Sequence, residues 1–200
     1  APFGFQPEPL VAAVWKGTKA MVKNDGTETN DKRFWDTFAG EMGEEVLQLR
    51  PVFDGFYANE FHGAKAACGE NPLARRAIDG LKDKGYDVVL ATNPIFPLVG
   101  VETRLSWVGL RPEDFSYITA YENSTTCKPN PAYYAEILRN TGKRPQECLM
   151  VGNDATEDTA ALEQGIGVYL VTDCLLNPKG RDISGVPQGT FAAFLEFAGV

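Results

Sequence analysis

Two acidic residues follow an apolar run late in the chain, at a spacing that could hold a metal ion. The run at residues 149–152 leads to Asp154, and Asp158 comes four residues later. An apolar run that ends in small residues is typical of a buried parallel strand, and the helix-forming residues up to Gly165 predict a helix after it. Asp158 would then lie about one helical turn beyond Asp154 and point the same way. Paired carboxylates beside a loop suit Mg²⁺, which keeps waters that a phosphate can replace.

The same two acids also have a purely structural interpretation. Asp154 could cap the helix, and Asp158 could add favourable negative charge to its first turn. This stretch by itself does not separate the two interpretations, so the other strand ends have to be considered.

Polar residues follow or precede other predicted elements in a similar way. Thr92 and Asn93 follow an apolar strand at residues 87–91, where a hydroxyl and the free backbone N–H groups of the turn can donate to a phosphoryl oxygen. Asn93 could instead cap the next helix. Lys128 lies just ahead of another helix, in a backbone that two prolines restrict, and offers a fixed positive charge to a phosphate or to carboxylates. A hydroxyl, an ammonium and paired acids at successive strand ends predict Mg²⁺-assisted phosphoryl transfer.

Residues 71–200 alternate between predicted strands and helices. The strands are predicted at 87–91, 115–119, 148–151 and 167–171, and the helices near 71–85, 98–108, 131–142, 156–164 and 190–197. This alternation predicts an α/β fold with a doubly wound parallel sheet, a Rossmann-like core of three αβα layers. Residues 1–70 carry amphipathic helical patterns rich in aromatic side chains, so we expect a helical cap domain there, followed by the α/β core at 71–200.

Composition narrows the classes of partner. A formal net charge of −8 argues against nucleic acid and anionic membrane surfaces, which clustered Lys and Arg bind. His62 is the only histidine, which argues against a serine-type triad and a multi-histidine metal site. The four cysteines form no CxxC pair, so we expect free thiols and a reducing, cytoplasmic setting. A small phosphorylated substrate remains compatible, because a local Lys and a metal can bind it.

Residues 71–200 resemble the haloacid dehalogenase superfamily, in its Mg²⁺-dependent phosphatase branch. Residues 90–93 are similar to the family's second motif, residues 128–131 to its third, and Asp154 with Asp158 to its fourth. The resemblance implies a phosphohydrolase that acts on a small phosphorylated metabolite through an aspartyl-phosphate. Its implied site residues are Thr92 and Lys128 for catalysis, Thr92, Asn93 and Lys128 for substrate binding, and Asp154 and Asp158 for Mg²⁺. The helical residues 1–70 sit where the family's cap is inserted.

The family's first motif, DxDGT, is not found in this sequence. The nearest string, DGT at residues 25–27, has Lys23 where the nucleophile would stand and follows an amphipathic helix, so we interpret it as a turn. The string at residues 54–55 lacks an acid two residues before it. We expect the sequence to begin after the first motif, because two strands would otherwise lose a central ladder partner.

That expectation leaves several functions open. The 200-residue chain by itself is expected to be inactive, and a true pseudoenzyme is the alternative explanation. A non-catalytic binding protein with this fold, a phosphonatase and a dehalogenase are further alternatives. The paired acids argue against the dehalogenase, because that chemistry needs no metal.

Overall fold

The chain forms two compact units, as described by a computed structural model of residues 4–69 and 71–200. The first unit comprises the described residues up to Gly69 together with Ala91–Trp107 and Thr119–Cys127. The second comprises residues 71–90 together with Val108–Ile118 and Lys128–Val200. The division of the chain into a cap at 1–70 and a core at 71–200 stays a prediction.

The first unit is helical. Its described α-helices are α1 (Pro7–Val22), α2 (Asn30–Met42), α3 (Arg50–Ala58) and α5 (Leu98–Trp107), with 3₁₀ segments at Glu44–Leu49 and Glu60–Ala67. The side chains of Trp35 and Phe38 on α2 are almost fully buried, as expected for an aromatic stripe that forms a core. Gly17 lets α1 approach α2 closely, since a Cβ there would lie 2.6 Å from Cδ2 of Phe34. No helix in the described ranges is both long and apolar enough to cross a bilayer.

The second unit alternates helices with parallel strands. Its described elements are α4 (Leu73–Asp83), β1 (Val89–Leu90), β2 (Tyr117–Ile118), α6 (Pro131–Thr141), β3 (Leu149–Gly152), β4 (Gly167–Val171), β5 (Gln188–Gly189) and α7 (Phe191–Ala198). β1 pairs with β2 in one sheet, and a second sheet has the order β3-β4-β5. All three pairings are parallel, with Val89 opposite Tyr117 and Leu149 opposite Gly167. The predicted α/β fold class is confirmed.

The sheet around β4 is covered on both faces. Tyr169 packs with Ala77 of α4 and with Phe194 of α7 on one face. Because side chains alternate along a strand, Val168 and Leu170 point to the opposite face, and both are buried as well. Burial on both faces is what a parallel strand within an α/β layer requires.

Three details differ from the expectations. The helix expected at 156–164 is a shorter 3₁₀ segment, Asp158–Gln164, because the Asp154 side chain holds residues 156 and 157 in a turn and the left-handed Gly165 ends the segment. β5 was not predicted, since a two-residue strand carries no apolar pattern. The expected single sheet is two sheets, because β1 and β3 have no pairing partner between them among the described residues.

An ion pair between Arg75 of α4 and Asp114 should make the stability of the protein depend on pH. Arg75 Nη1 donates to Asp114 Oδ1 at 2.9 Å, and the Arg111 backbone N–H donates to Asp114 Oδ2 at 2.8 Å. These two hydrogen bonds hold the pKa of Asp114 well below its usual range, and the bond from Arg75 has the larger effect. We expect Asp114→Asn to lower the Tm by a few degrees at pH 7. The deficit should shrink below about pH 4, because there the unfolded chain takes up a proton on Asp114 that the folded protein does not yet bind.

Thermal unfolding of both proteins between pH 2.5 and 7 measures this effect. Asp79→Asn is the matched control, because Asp79 is a more exposed partner of the same Arg75. An Asp114→Asn deficit that stays constant down to pH 2.5 would show that the ionised carboxylate is not what stabilises this corner.

Candidate functional site

Asp154 lies at the carboxyl end of β3, as predicted, and its carboxylate organises the turn that follows. Asp154 Oδ1 accepts hydrogen bonds from the backbone N–H groups of Thr156 at 2.7 Å and Glu157 at 2.8 Å. The structural interpretation expected a helix cap, but the 3₁₀ segment begins at Asp158 without a side-chain cap, so Asp154 closes the turn ahead of it instead. The other oxygen, Oδ2, accepts no hydrogen bond from the described residues, so one half of the carboxylate remains available to a cation.

Asp158 lies directly behind that turn and is almost fully buried, with 4% of its surface exposed. Its Oδ2 accepts the backbone N–H of Asp154 at 2.8 Å, and its Oδ1 accepts Lys128 Nζ at 2.7 Å. Both carboxylate oxygens therefore have a donor, and each retains a further lone pair. A buried carboxylate needs such partners, because the interior does not solvate charge as water does.

Gly152 makes room for the Asp158 carboxylate. A Cβ at this position would lie 2.0 Å from Asp158 Oδ2 and 2.3 Å from its Cγ. Contacts this short do not occur between real atoms, so any side chain here would displace Asp158. The glycine at the end of β3 is thus a requirement of the acid behind it, which the sequence pattern alone did not reveal.

Lys128 is buried in the structure. Only 6% of its surface is exposed, and its ammonium lies 5.8 Å from the centre of the Tyr133 ring. The Lys128–Pro129 peptide bond is cis. The Asn130 side chain accepts the N–H of Ala132 at 3.0 Å and caps α6. Lys128, Asp154 and Asp158 are therefore brought together within one compact unit.

Two tyrosines in the first turn of α6 lie next to Lys128 and the acidic turn. Tyr133 and Tyr134 are almost fully buried, with ring centres 5.0 Å apart. The Tyr134 hydroxyl donates to the backbone carbonyl of Glu157 at 2.8 Å, next to Asp158. Burial, with a smaller contribution from the Asp158 charge, raises the pKa of Tyr134 well above its usual range, so this donor keeps its proton. The link from Tyr134 to Glu157 was missed, because nothing in the sequence pairs these positions.

Thr92 and Asn93 belong to the other compact unit. Thr92 Oγ1 donates to the carbonyl of Thr119 at 3.1 Å, and Thr119 Oγ1 donates to the carbonyl of Thr92 at 3.0 Å. This reciprocal exchange joins the segments that follow β1 and β2, and Thr119 was not identified from the sequence. Asn93 is half-buried in the turn before α5. The expected meeting of Thr92 and Asn93 with Lys128 and the acids stays a prediction.

The residues around Asp154 fit a small divalent cation. Asp154 offers a carboxylate oxygen without a donor, and Asp158 lies one turn away with lone pairs to spare. Among the residues that the structure describes, no group of three His, Cys, Asp or Glu side chains converges to hold a metal. Mg²⁺ does not require such a cage, because it binds through one or two carboxylates and fills its other positions with water and phosphate.

Comparisons with known proteins found a family model and solved structures that are similar to this chain. A family model for haloacid dehalogenase-like hydrolases matches residues 8–165. The chain is similar to the crystal structure of a predicted phosphoglycolate phosphatase from Haemophilus somnus 129pt, with 18% identity and a TM-score of 0.57 over 95% of this chain and 92% of that one. It is also similar to a HAD phosphatase from Thermococcus onnurineus, with 17% identity and a TM-score of 0.56 over 96% and 91% of the two chains.

A third similar structure contains a bound anion. It is CbbY from Rhodobacter sphaeroides in complex with phosphate, with 16% identity and a TM-score of 0.52 over 80% of this chain and 60% of that one. No curated protein sequence matches the chain. At these identities the solved structures show a shared fold, and the family model covers most of the chain. The chain therefore belongs to the haloacid dehalogenase-like hydrolase family.

Proposed function

We propose that the intact protein is a Mg²⁺-dependent phosphohydrolase that cleaves a small phosphorylated metabolite through an aspartyl-phosphate. The observation that carries this proposal is the buried pair of Lys128 and Asp158, 2.7 Å apart, beside the free carboxylate oxygen of Asp154. A buried cation next to two acids at a strand end suits a doubly charged phosphoryl group better than a neutral substrate. The phosphatase names of two similar structures point in the same direction.

In this proposal each residue has a separate task. Asp154 and Asp158 hold the Mg²⁺, which neutralises charge on the phosphoryl oxygens when it is bound. Lys128, fixed by Asp158, supplies a second positive charge to the phosphoryl group or the nucleophile. Thr92 and Asn93 would donate hydrogen bonds to the remaining phosphoryl oxygens. The helical residues 1–70 would act as a cap that closes over the leaving group and excludes water.

The nucleophile would come from a strand that this sequence lacks. β1 pairs with β2, and β3 pairs with β4, while no described strand joins the two sheets. Val89 and Val151 are only half-buried, whereas the middle of β4, which has a strand on each side, is fully buried. A parallel strand that carries the first motif would lie between β1 and β3.

The proposed hydrolysis has two steps, and each conserves atoms and charge. A carboxylate oxygen of the supplied strand forms a bond to phosphorus as the bond to the leaving oxygen breaks, and a second supplied acid protonates that oxygen. Water then hydrolyses the aspartyl-phosphate, releases inorganic phosphate and regenerates the carboxylate. The four free cysteines support a reducing, cytoplasmic setting for this chemistry.

A complementation assay tests the proposed function. The 200-residue chain with Mg²⁺ should hydrolyse p-nitrophenyl phosphate only at the background rate. Addition of a synthetic peptide with an apolar strand that ends in Asp-x-Asp-Gly-Thr should produce Mg²⁺-dependent turnover, and Asp154→Asn should abolish it. Turnover by the chain alone would contradict the proposal that the nucleophile lies outside this sequence. Peptide binding without any turnover would favour a non-catalytic protein of the same fold.

A further inference from the structure

Three hydrogen bonds join the turn that carries Asp154 to a neighbouring loop at residues 174–176. Asn153 Nδ2 donates to the Cys174 carbonyl at 2.7 Å. The Leu176 N–H donates to the Asn153 carbonyl at 2.7 Å, and the Ala155 N–H donates to the Leu176 carbonyl at 2.9 Å. Asp154 itself forms an isolated parallel bridge with Leu176. The turn is therefore held on both sides of Asp154.

Only one of these three bonds depends on a particular side chain. The two backbone bonds could form with any residue except proline, whereas the bond to the Cys174 carbonyl needs the Asn153 amide. Apolar packing contributes little to the contact, since 55% of Leu176 is exposed. The Asn153 amide is thus the part of the contact that the sequence specifies.

The direction of the Asp154 carboxylate follows the backbone of this turn. Its Oδ1 is bound by two backbone N–H groups, and its own N–H is bound by Asp158 Oδ2. If the turn moves, the free oxygen Oδ2 moves with it. Mg²⁺ demands a near-ideal octahedral geometry, so a small displacement of a ligand lowers affinity.

We propose that Asn153 is a positioning residue, whose amide fixes residues 174–176 against the acidic turn and so aims Asp154 Oδ2 at the cation. This inference rests on the proposed function, because it assumes that Asp154 is a Mg²⁺ ligand. Groups that orient metal ligands without touching the metal typically change affinity by about 10–100-fold when they are removed.

The test compares two asparagines whose side chains form hydrogen bonds with the backbone of residues 174–181. Asn153→Ala removes the bond to Cys174. Asn177→Ala is the matched control, because it removes two bonds of 2.8 Å between the Asn177 side chain and the Arg181 backbone, neither of which involves the acidic turn. Mg²⁺ affinity is measured by calorimetric titration of each variant, and hydrogen exchange is followed at the backbone amides of Ala155 and Leu176.

We expect Asn153→Ala to weaken Mg²⁺ binding about 10-fold and to speed exchange at both amides. Asn177→Ala should leave the affinity within about twofold of the wild type, since outer groups matter only where they orient a ligand. Wild-type affinity in Asn153→Ala, or an equal loss in Asn177→Ala, would overturn the positioning role. A wild-type protein that binds no Mg²⁺ would overturn the proposed metal site instead. Unchanged exchange at Leu176 in Asn153→Ala would show that the Asn153 amide does not fix residues 174–176 against the acidic turn.

Discussion

Lys128→Met lowers the free energy of unfolding by about 3–5 kcal/mol, the typical cost of removing one partner from a buried ion pair. The methionine fills much of the same volume, but it leaves Asp158 Oδ1 without the donor that now lies 2.7 Å away. The uncompensated buried carboxylate, rather than a cavity, causes the loss. Urea denaturation of the wild type and the variant measures it.

The matched control is Lys143→Met. Lys143 also pairs with an aspartate, Asp87, but both side chains are substantially exposed. Exposed pairs contribute at most about 1 kcal/mol. The double variant Lys128→Met with Asp158→Asn should regain part of the lost stability, because the charge is gone and the amide oxygen can still accept the Asp154 N–H. A loss in Lys128→Met no larger than that in Lys143→Met would mean that the pair is not buried as described.

Gly152→Ala is the second change with a large expected effect. The added Cβ would lie 2.0 Å from Asp158 Oδ2, so the carboxylate must give up its bond to the Asp154 N–H, its bond to Lys128, or both. Overpacking typically costs 1–3 kcal/mol, and hydrogen bonds to charged groups add to that loss. We expect a decrease of about 2–5 kcal/mol in the free energy of unfolding.

A double-mutant cycle separates this clash from a general effect of alanine. With Asp158→Ala already present, Gly152→Ala should cost little, because the atoms that it would meet are gone. Gly40→Ala on α2 serves as a control, since nothing lies within 4 Å of the added Cβ and alanine favours a helix. If Gly152→Ala costs the same with and without Asp158, the close approach is not the cause.

The positions of the key side chains relative to the strands and helices were predictable, because they follow from local patterns. Apolar runs located β3 and β4 within a residue or two, and the helix expected at 131–142 is α6. Asp154 and Asp158 could be placed one turn apart for the same reason. Lys128 was expected to offer its charge to a phosphate or to carboxylates, and in the structure it pairs with the carboxylate of Asp158.

The contacts that hold the site could not be predicted, because they join residues distant in sequence without a shared pattern. Tyr134 reaches Glu157, and Thr119 exchanges hydrogen bonds with Thr92, only after the strands and helices have packed. The need for a glycine at 152 depends on where one carboxylate of a later turn comes to lie. A single sequence reports residue types and spacing, whereas these contacts depend on tertiary geometry.

Titration of the 200-residue chain with Mg²⁺ by calorimetry tests the central claim, that the Asp154 turn is a metal site for phosphoryl transfer. We predict one Mg²⁺ per chain and a loss of affinity of at least about 100-fold in Asp154→Asn, since even groups that only orient a ligand typically cost 10–100-fold. The asparagine retains an oxygen for the N–H groups of Thr156 and Glu157, so the turn should persist. Asp182→Asn, which alters an exposed carboxylate that accepts the Ser184 N–H, should bind as the wild type does. Absence of Mg²⁺ binding by the wild type, or equal binding by Asp154→Asn, would contradict the account.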